Sequence, residues 1–504
     1  MLNFFDFLGK NEFCAVKFST FTQGRLENFH FSIKILGAED SFADRIRKNF
    51  PWSIFMKIDS LQITHFRGIH SMELELHPKM NVLVGVNGAG KSTVLDALAI
   101  LLSRFVSMIR SGKNAGKEIA AQDVSAGREF SALRVCFSDE ERRFAWGVMR
   151  SLVRSRKKDP RVEAILQKAD SGEFESIRAL ASEIREEADR SGGKCSVPVV
   201  VYYQTNRIAL KFPRFVHTDR DFSLMSIYSD ALSSRADYRV LLEWFREREN
   251  VENREFRRLV LEVQAATQPG TGQGTSETRR IAEEYRDSAL QTLRNAWKAF
   301  MPELSKFTIQ PDPLRLEAEK NGTPFRIDQL SDGEKSLLAL VGDIARRLAI
   351  ANPTMCDPLK GEGIILVDEI DLHFHPQRQR TLIPQLQQVF PNCQFIVATH
   401  SPQILGHVYA ESVFLLEENE DGIIELRRPE ESYGMTTNEI LEDLMDVPAR
   451  EPEEEKKLLK LFELIERRKL AEAKALIEEI RNYRRSEPKL LAADARILSI
   501  ESRK

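Results

Sequence analysis

An α/β fold built on a mixed sheet is predicted by three features of this 504-residue chain. Short apolar runs end in a glycine-rich loop at 85–92, in the paired acids Asp368-Glu369 and in His400, as buried parallel strands do when they deliver polar groups to one sheet edge. Long charged stretches of helical period separate these runs. Looser alternation from Val124 to Phe137 and a turn-centred pair around 413–426 add antiparallel strands. The expected division is an N-terminal extension (1–55), a first part of the α/β domain (56–138), a helical insertion (139–325) carrying one strand near 197–207, a second part of the α/β domain (326–428) and a helical tail (429–504).

Residues 1–55 are phenylalanine-rich and show no convincing period. They lack the apolar core and small-residue cleavage site of a secretory signal, so they are read as a small appended element or an upstream, misassigned start before Met56. The apolar strand Val82-Leu83-Val84 then runs into Gly85-Val86-Asn87-Gly88-Ala89-Gly90-Lys91-Ser92, and Thr93 to Leu98 continues as helix. Strand, G-x-x-x-x-G-K-[ST] loop and helix together form a phosphate cradle. The loop amides, from Asn87 through Gly88, Ala89 and Gly90 to Thr93, would point at phosphate oxygens, aided by the positive helix end. Lys91 would reach the β- and γ-phosphates and Ser92 would hold Mg²⁺, making ATP and Mg²⁺ the expected ligands.

The strand Ile364 to Val367 ends in Asp368, expected on Mg²⁺, and Glu369, expected to polarise the attacking water. Either acid alone fits a solvated strand end; the phosphate loop in the same chain favours the chemical reading. Phe395 to Thr399 is another buried strand, and His400 at its end stands where a γ-phosphate-sensing histidine would, although a lone histidine is more often structural. Leu330-Ser331-Asp332-Gly333-Glu334 opens an apolar helix over 337–350 and is, by itself, an ordinary capping box.

Taken with the other motifs, Leu330 to Glu334 resembles the L-S-G-G-E signature of ABC-type ATPases, with Asp332 in place of the first glycine. That resemblance implies an ABC-type P-loop ATPase fold: a mixed sheet, an antiparallel β-lobe, an inserted helical lobe and a C-terminal helical hairpin. It implies that Ser331, Gly333 and the helix end contact the γ-phosphate held by a second copy, so that two chains close around two ATPs. The opening Met56 to Ile69, with Phe66-Arg67-Gly68, is similar to the SMC, RecF and Rad-type branch, and Asp368 to Pro376 to the D-loop of its relatives, which would set Asp371 across the interface. His373 and His375 make a poor metal site without further ligands nearby. The strand Val197 to Tyr203 emptying at Gln204 resembles the Q-loop, which would place Gln204 on Mg²⁺; Gln122 is the competitor, and Arg207 is either a nucleotide contact or a solvated turn residue.

From Met56 onward the chain resembles the ATPase subunits (PtuA) of Septu-type antiphage systems, which some retrons also carry; the supporting residues are Tyr202 to Arg207, Leu330 to Ser336, His373 and His375, and the run from Tyr433-Gly434 to Ile440-Leu441. The resemblance implies a separate HNH nuclease partner restrained by ATP occupancy, and in a retron a reverse transcriptase with its DNA–RNA product. A RecF- or RecN-like repair ATPase that binds DNA directly is the alternative. With 73 basic and 76 acidic residues the net charge is −3, so nucleic-acid contact would need a local patch. The run Arg154 to Arg161 is either such a patch or a solvated helix edge. Cys14, Cys136, Cys195, Cys356 and Cys393 lack paired spacing, pointing to a reducing cytoplasm and away from disulfide or zinc frameworks. No apolar run has the length of a membrane span. In the tail, Leu458, Leu461, Phe462 and Ile465, then Leu476, Ile477 and Ile480, make two stripes broken near Arg468: a helical hairpin that packs on its own domain or on a partner.

Overall fold

A computed structural model describes residues 56–139, 142–152, 173–205, 221–232, 238–266, 285–311, 314–447, 452–484 and 488–502. The extension 1–55, Arg207, the basic run 154–161 and most of the glycine-rich break at 264–277 lie outside the described residues.

Six strands form the central sheet, in the order β13 (Ile424–Arg427), β12 (Val413–Glu418), β3 (Met80–Val84), β11 (Cys393–Thr399), β10 (Gly363–Val367) and β6 (Val199–Tyr203). All neighbours are parallel except β12 and β13. Every residue of β3, β6, β10 and β11 is buried, as a parallel sheet covered on both faces requires. Val84 pairs with Thr399, and Val367 with both Val397 and Tyr203. These registers bring the strand ends before Gly85, His400, Asp368 and Gln204 to one edge of the sheet.

A second, antiparallel sheet has the order β2 (Ile69–Glu75), β1 (Lys57–Phe66), β4 (Phe130–Ser138) and β5 (Arg143–Ser151). Its last strand carries the β-lobe past the expected boundary at 138. Trp146 of β5 stacks on Phe137 at 4.6 Å, a packing that the charged residues around it hide in the sequence. A third antiparallel sheet, β7 (Leu304–Pro311), β8 (Leu314–Lys320) and β9 (Thr323–Arg326), occupies the end of the segment expected to be helical and passes its boundary at 325. The helices of that segment are α2 (Glu173–Arg190), α3 (Tyr238–Ala266) and α4 (Ser288–Phe300), and Trp297 of α4 packs on Phe307 of β7 at 4.5 Å.

The helix after the glycine-rich loop, α1 (Lys91–Ser111), is apolar and long enough to cross a membrane by length and composition, yet most of it is buried inside the protein. Next come α5 (Asp332–Ala351), α6 (Pro376–Val389) and the short α7 (Pro402–Leu405). Among the described residues the tail begins with a short helical turn, Thr437–Glu439 and Ile440–Leu444, and continues as α8 (Pro452–Glu466), α9 (Leu470–Tyr483) and α10 (Pro488–Glu501). The expected hairpin is α8 and α9; α10 adds Leu490, Ala493 and Ile497 to their core of Leu461, Ile465, Ile477 and Ile480.

Candidate functional site

The glycine-rich loop leaves β3 and closes on α1 through Gly90, whose φ is 92°. A β-carbon there would lie 2.9 Å from the tip of the Ile424 side chain, which can shift, so it is the left-handed conformation that favours glycine. Lys91 follows as the first residue of α1, nearly buried at 5% exposure. Its ammonium donates to the carbonyls of Gly85 (2.9 Å) and Val86 (3.0 Å) and stands 3.5 Å from His400 Nδ1. Burial pulls the Lys91 pKa below its ordinary value, opposed by the carboxylates of Asp368, Glu369 and Asp371. Burial and the Lys91 charge likewise hold His400 below the usual histidine value.

Asp368 leaves β10 with its amide bonded to the Tyr203 carbonyl at 2.8 Å. Its Oδ2 accepts from the Ser92 hydroxyl at 2.8 Å and from the Thr205 hydroxyl at 3.2 Å. Gln204, the expected metal neighbour, is half-buried at the end of β6, whereas Thr205, one residue on, supplies the bond to Asp368. The threonine was missed because its only signal was adjacency to the strand end. Gln122 is exposed in the turn Ala121–Asp123. Beside it, Asp123 accepts from Arg67 Nε at 2.9 Å, while Arg67 also donates to Asp96 of α1 at 2.6 Å. Tyr202 donates to the same Asp96 at 3.1 Å, so β1, α1 and β6 are tied behind the loop.

Glu369 is half-buried and left-handed, with φ 45°, at the turn out of β10. Asp371, expected to face a second copy, is bonded within its own chain: it accepts from the Thr399 hydroxyl at 2.5 Å. Thr399 in turn accepts from the Ser401 amide, and Ser401 donates to Gln379 of α6, on either side of His400. His375 caps α6 by accepting from the Gln377 amide, so one of the paired histidines has a backbone task.

Ser331 caps α5. Its hydroxyl accepts from the Glu334 amide at 3.3 Å and donates to Glu334 Oε2 at 2.8 Å, and the same carboxylate accepts from the Ser331 amide. The serine is exposed, and Gly333 is buried against the turn after β10, where a β-carbon would lie 2.2 Å from the His373 carbonyl. Deeper along α5, Asp343 accepts from Arg346, Arg347 and the Tyr203 hydroxyl, all buried. Burial opposes ionisation there, but the two guanidiniums win and hold Asp343 well below the usual carboxylate range.

The Ser92 and Thr205 hydroxyls and the Asp368 carboxylate form an all-oxygen donor set suited to Mg²⁺. A β-carbon at Gly88, whose φ is 88°, would meet nothing within 4 Å, and the Ala89 amide closes the loop by donating to the Val86 carbonyl at 3.2 Å.

Residues 57–425 match the RecF/RecN/SMC N-terminal domain family. A retron Ec83 probable ATPase of Escherichia coli is 28% identical over 437 residues, covering 79% of this chain and 78% of that protein. A retron Vc95 probable ATPase of Vibrio cholerae serotype O1 biovar El Tor is 28% identical over 413 residues, covering 77% and 79%. The Septu protein PtuA of Bacillus thuringiensis is 33% identical over 144 residues, covering 27% of this chain and 36% of that protein.

Proposed function

The chain belongs to the RecF/RecN/SMC N-terminal domain family, and from that membership we propose that it is an ATPase that binds ATP between two copies of itself and thereby governs a separate effector nuclease, of the HNH type, in antiphage defence. Supporting this is the meeting of Lys91, Ser92, Asp368 and His400 at one sheet edge while Ser331 stays exposed at the tip of α5. The loop from Asn87 to Gly90, with Lys91 and Thr93, would hold the phosphates. Ser92 and Asp368, with Gln204 near them, would hold Mg²⁺, which supplies charge neutralisation at the β- and γ-phosphates.

Glu369 would take a proton from water as its oxygen bonds the γ-phosphorus and the bond to the bridging oxygen breaks, releasing ADP and phosphate. His400, kept neutral by burial and Lys91, would donate a hydrogen bond to the γ-phosphate. Ser331 and Gly333 of a second copy would close over that phosphate. Asp371, through Thr399, would tie the interface turn to the His400 segment. The retron and Septu names of the relatives support the defence setting; in a retron, the reverse transcriptase and its DNA–RNA product would join as partners.

The experiment is Glu369→Gln. Phosphate release should fall by about a hundredfold or more, the scale of losing a general base. ATP binding should persist, and ATP-bound dimers should accumulate in light scattering. Unchanged turnover would show that another residue activates the water.

A further inference from the structure

Tyr409 and Tyr433 lie on separate loops, yet their rings stack at 4.5 Å with an interplanar angle of 12°. Both remain largely in solvent, at 62% and 58% exposure. The loops are locked together beneath the rings: the Ser432 hydroxyl donates to the Val408 carbonyl at 2.6 Å, and the Gly434 amide to the Gly406 carbonyl at 3.0 Å. Gly434 itself has φ 83°, a turn that lets Tyr433 stand outward. Two aromatic faces held rigidly in water lose little entropy on binding, which is why tyrosine is enriched at interface hot spots.

In the sequence, the segment that carries Tyr433 is acidic. From 429 to 447 the chain carries Glu430, Glu431, Glu439, Glu442, Asp443 and Asp446 and no lysine or arginine, and all six acids are exposed. Glu411, two residues past Tyr409, is exposed as well. Arg428 lies beside Glu411 and is engaged there, with its guanidinium over Phe414 at 4.6 Å and donating to the Glu411 and Glu75 carbonyls. Exposed carboxylates such as Glu430, Glu431 and Glu411 repel a phosphate backbone and attract cations.

We infer that the Tyr409–Tyr433 stack is a docking platform for an arginine-bearing segment of a partner protein. A guanidinium stacks on a tyrosine face better than an ammonium does, and the flanking carboxylates pair with it. The platform is continuous with the segment that follows His400 through α7, Gly406 and Val408.

The test uses the full chain with three fluorescent probes: an arginine-rich peptide, its citrulline counterpart of the same shape without charge, and a 20-mer oligothymidylate. Anisotropy should show the arginine peptide binding at least about tenfold tighter than the citrulline one. Tyr409→Ser/Tyr433→Ser, which keeps every carboxylate, should lose about tenfold of that affinity, the scale of a hot-spot aromatic. Tyr433→Leu, which keeps apolar bulk, serves as the second variant and should weaken binding in the same direction. Equal binding of the two peptides, no arginine-peptide binding, or undiminished binding to either variant overturns the platform. Oligothymidylate binding that depends on the tyrosines overturns it in favour of nucleic acid.

Discussion

Lys91 and His400 share a poorly solvated corner in which a second positive charge is costly. Because the His400 pKa in the folded chain lies below its ordinary 6.5, the unfolded chain binds the proton more readily. The stability linked to this histidine is therefore fully present above about pH 6.5 and lost as the pH falls through the lower folded value. Without nucleotide, the thermal midpoint should drop between pH 7.5 and 5.5, and less so in His400→Asn. Identical slopes for the two proteins would remove His400 from the pH response. The same pair explains why the lysine rests on the Gly85 and Val86 carbonyls: they replace the hydration it loses.

The helix α5 carries two separate tasks. At its tip, Gly333 lets the helix approach the turn holding His373 so closely that a methyl group has no room. Gly333→Ala should cost about 1–3 kcal/mol of stability in urea denaturation, as overpacked sites do, despite the better helix propensity of alanine. A neutral or stabilising result would mean that the turn yields freely. Three turns on, Asp343 pairs with both Arg346 and Arg347 and joins α5 to Tyr203 of β6. Asp343→Asn would leave two buried guanidiniums without their counter-charge, and a loss of about 3–5 kcal/mol is expected by the same measurement. A loss below about 1 kcal/mol would show that water or backbone carbonyls satisfy the arginines.

For the molecule as a whole, the placing of Ser331 predicts a complementation test. Ser331→Arg should bind ATP as a monomer but fail to hydrolyse it, because the bulky cation would occupy the γ-phosphate pocket of a second copy. Lys91→Ala should fail to bind. Mixed, the two variants can form one intact composite site per dimer, so phosphate release should appear only in the mixture. Full activity of Ser331→Arg alone would reduce the signature to the helix cap seen in the single chain. In the tail, α8, α9 and α10 surround a core of their own.

The phosphate loop, the paired acids and His400 were legible in the amino-acid order because each needs a few residue types at fixed spacing beside an apolar strand, and strand, loop and helix are local structures. Gly90 and Lys91 are such residues. The β-lobe was only half legible: β5 hides Trp146 among charged residues, and its partner Phe137 is found by strand pairing. The bonding roles of Thr205, Thr399 and Arg67 were not legible, since a hydroxyl or guanidinium gains its role from the carboxylate it reaches, and Asp368, Asp371 and Asp96 come from other elements. The sequence by itself determined the chemical parts and the α/β class, through local pattern and motif spacing. Only the tertiary structure decided which parts meet: the register of β3, β11, β10 and β6 sets their ends side by side, and contacts between residues hundreds of positions apart are made by packing, which no local pattern encodes.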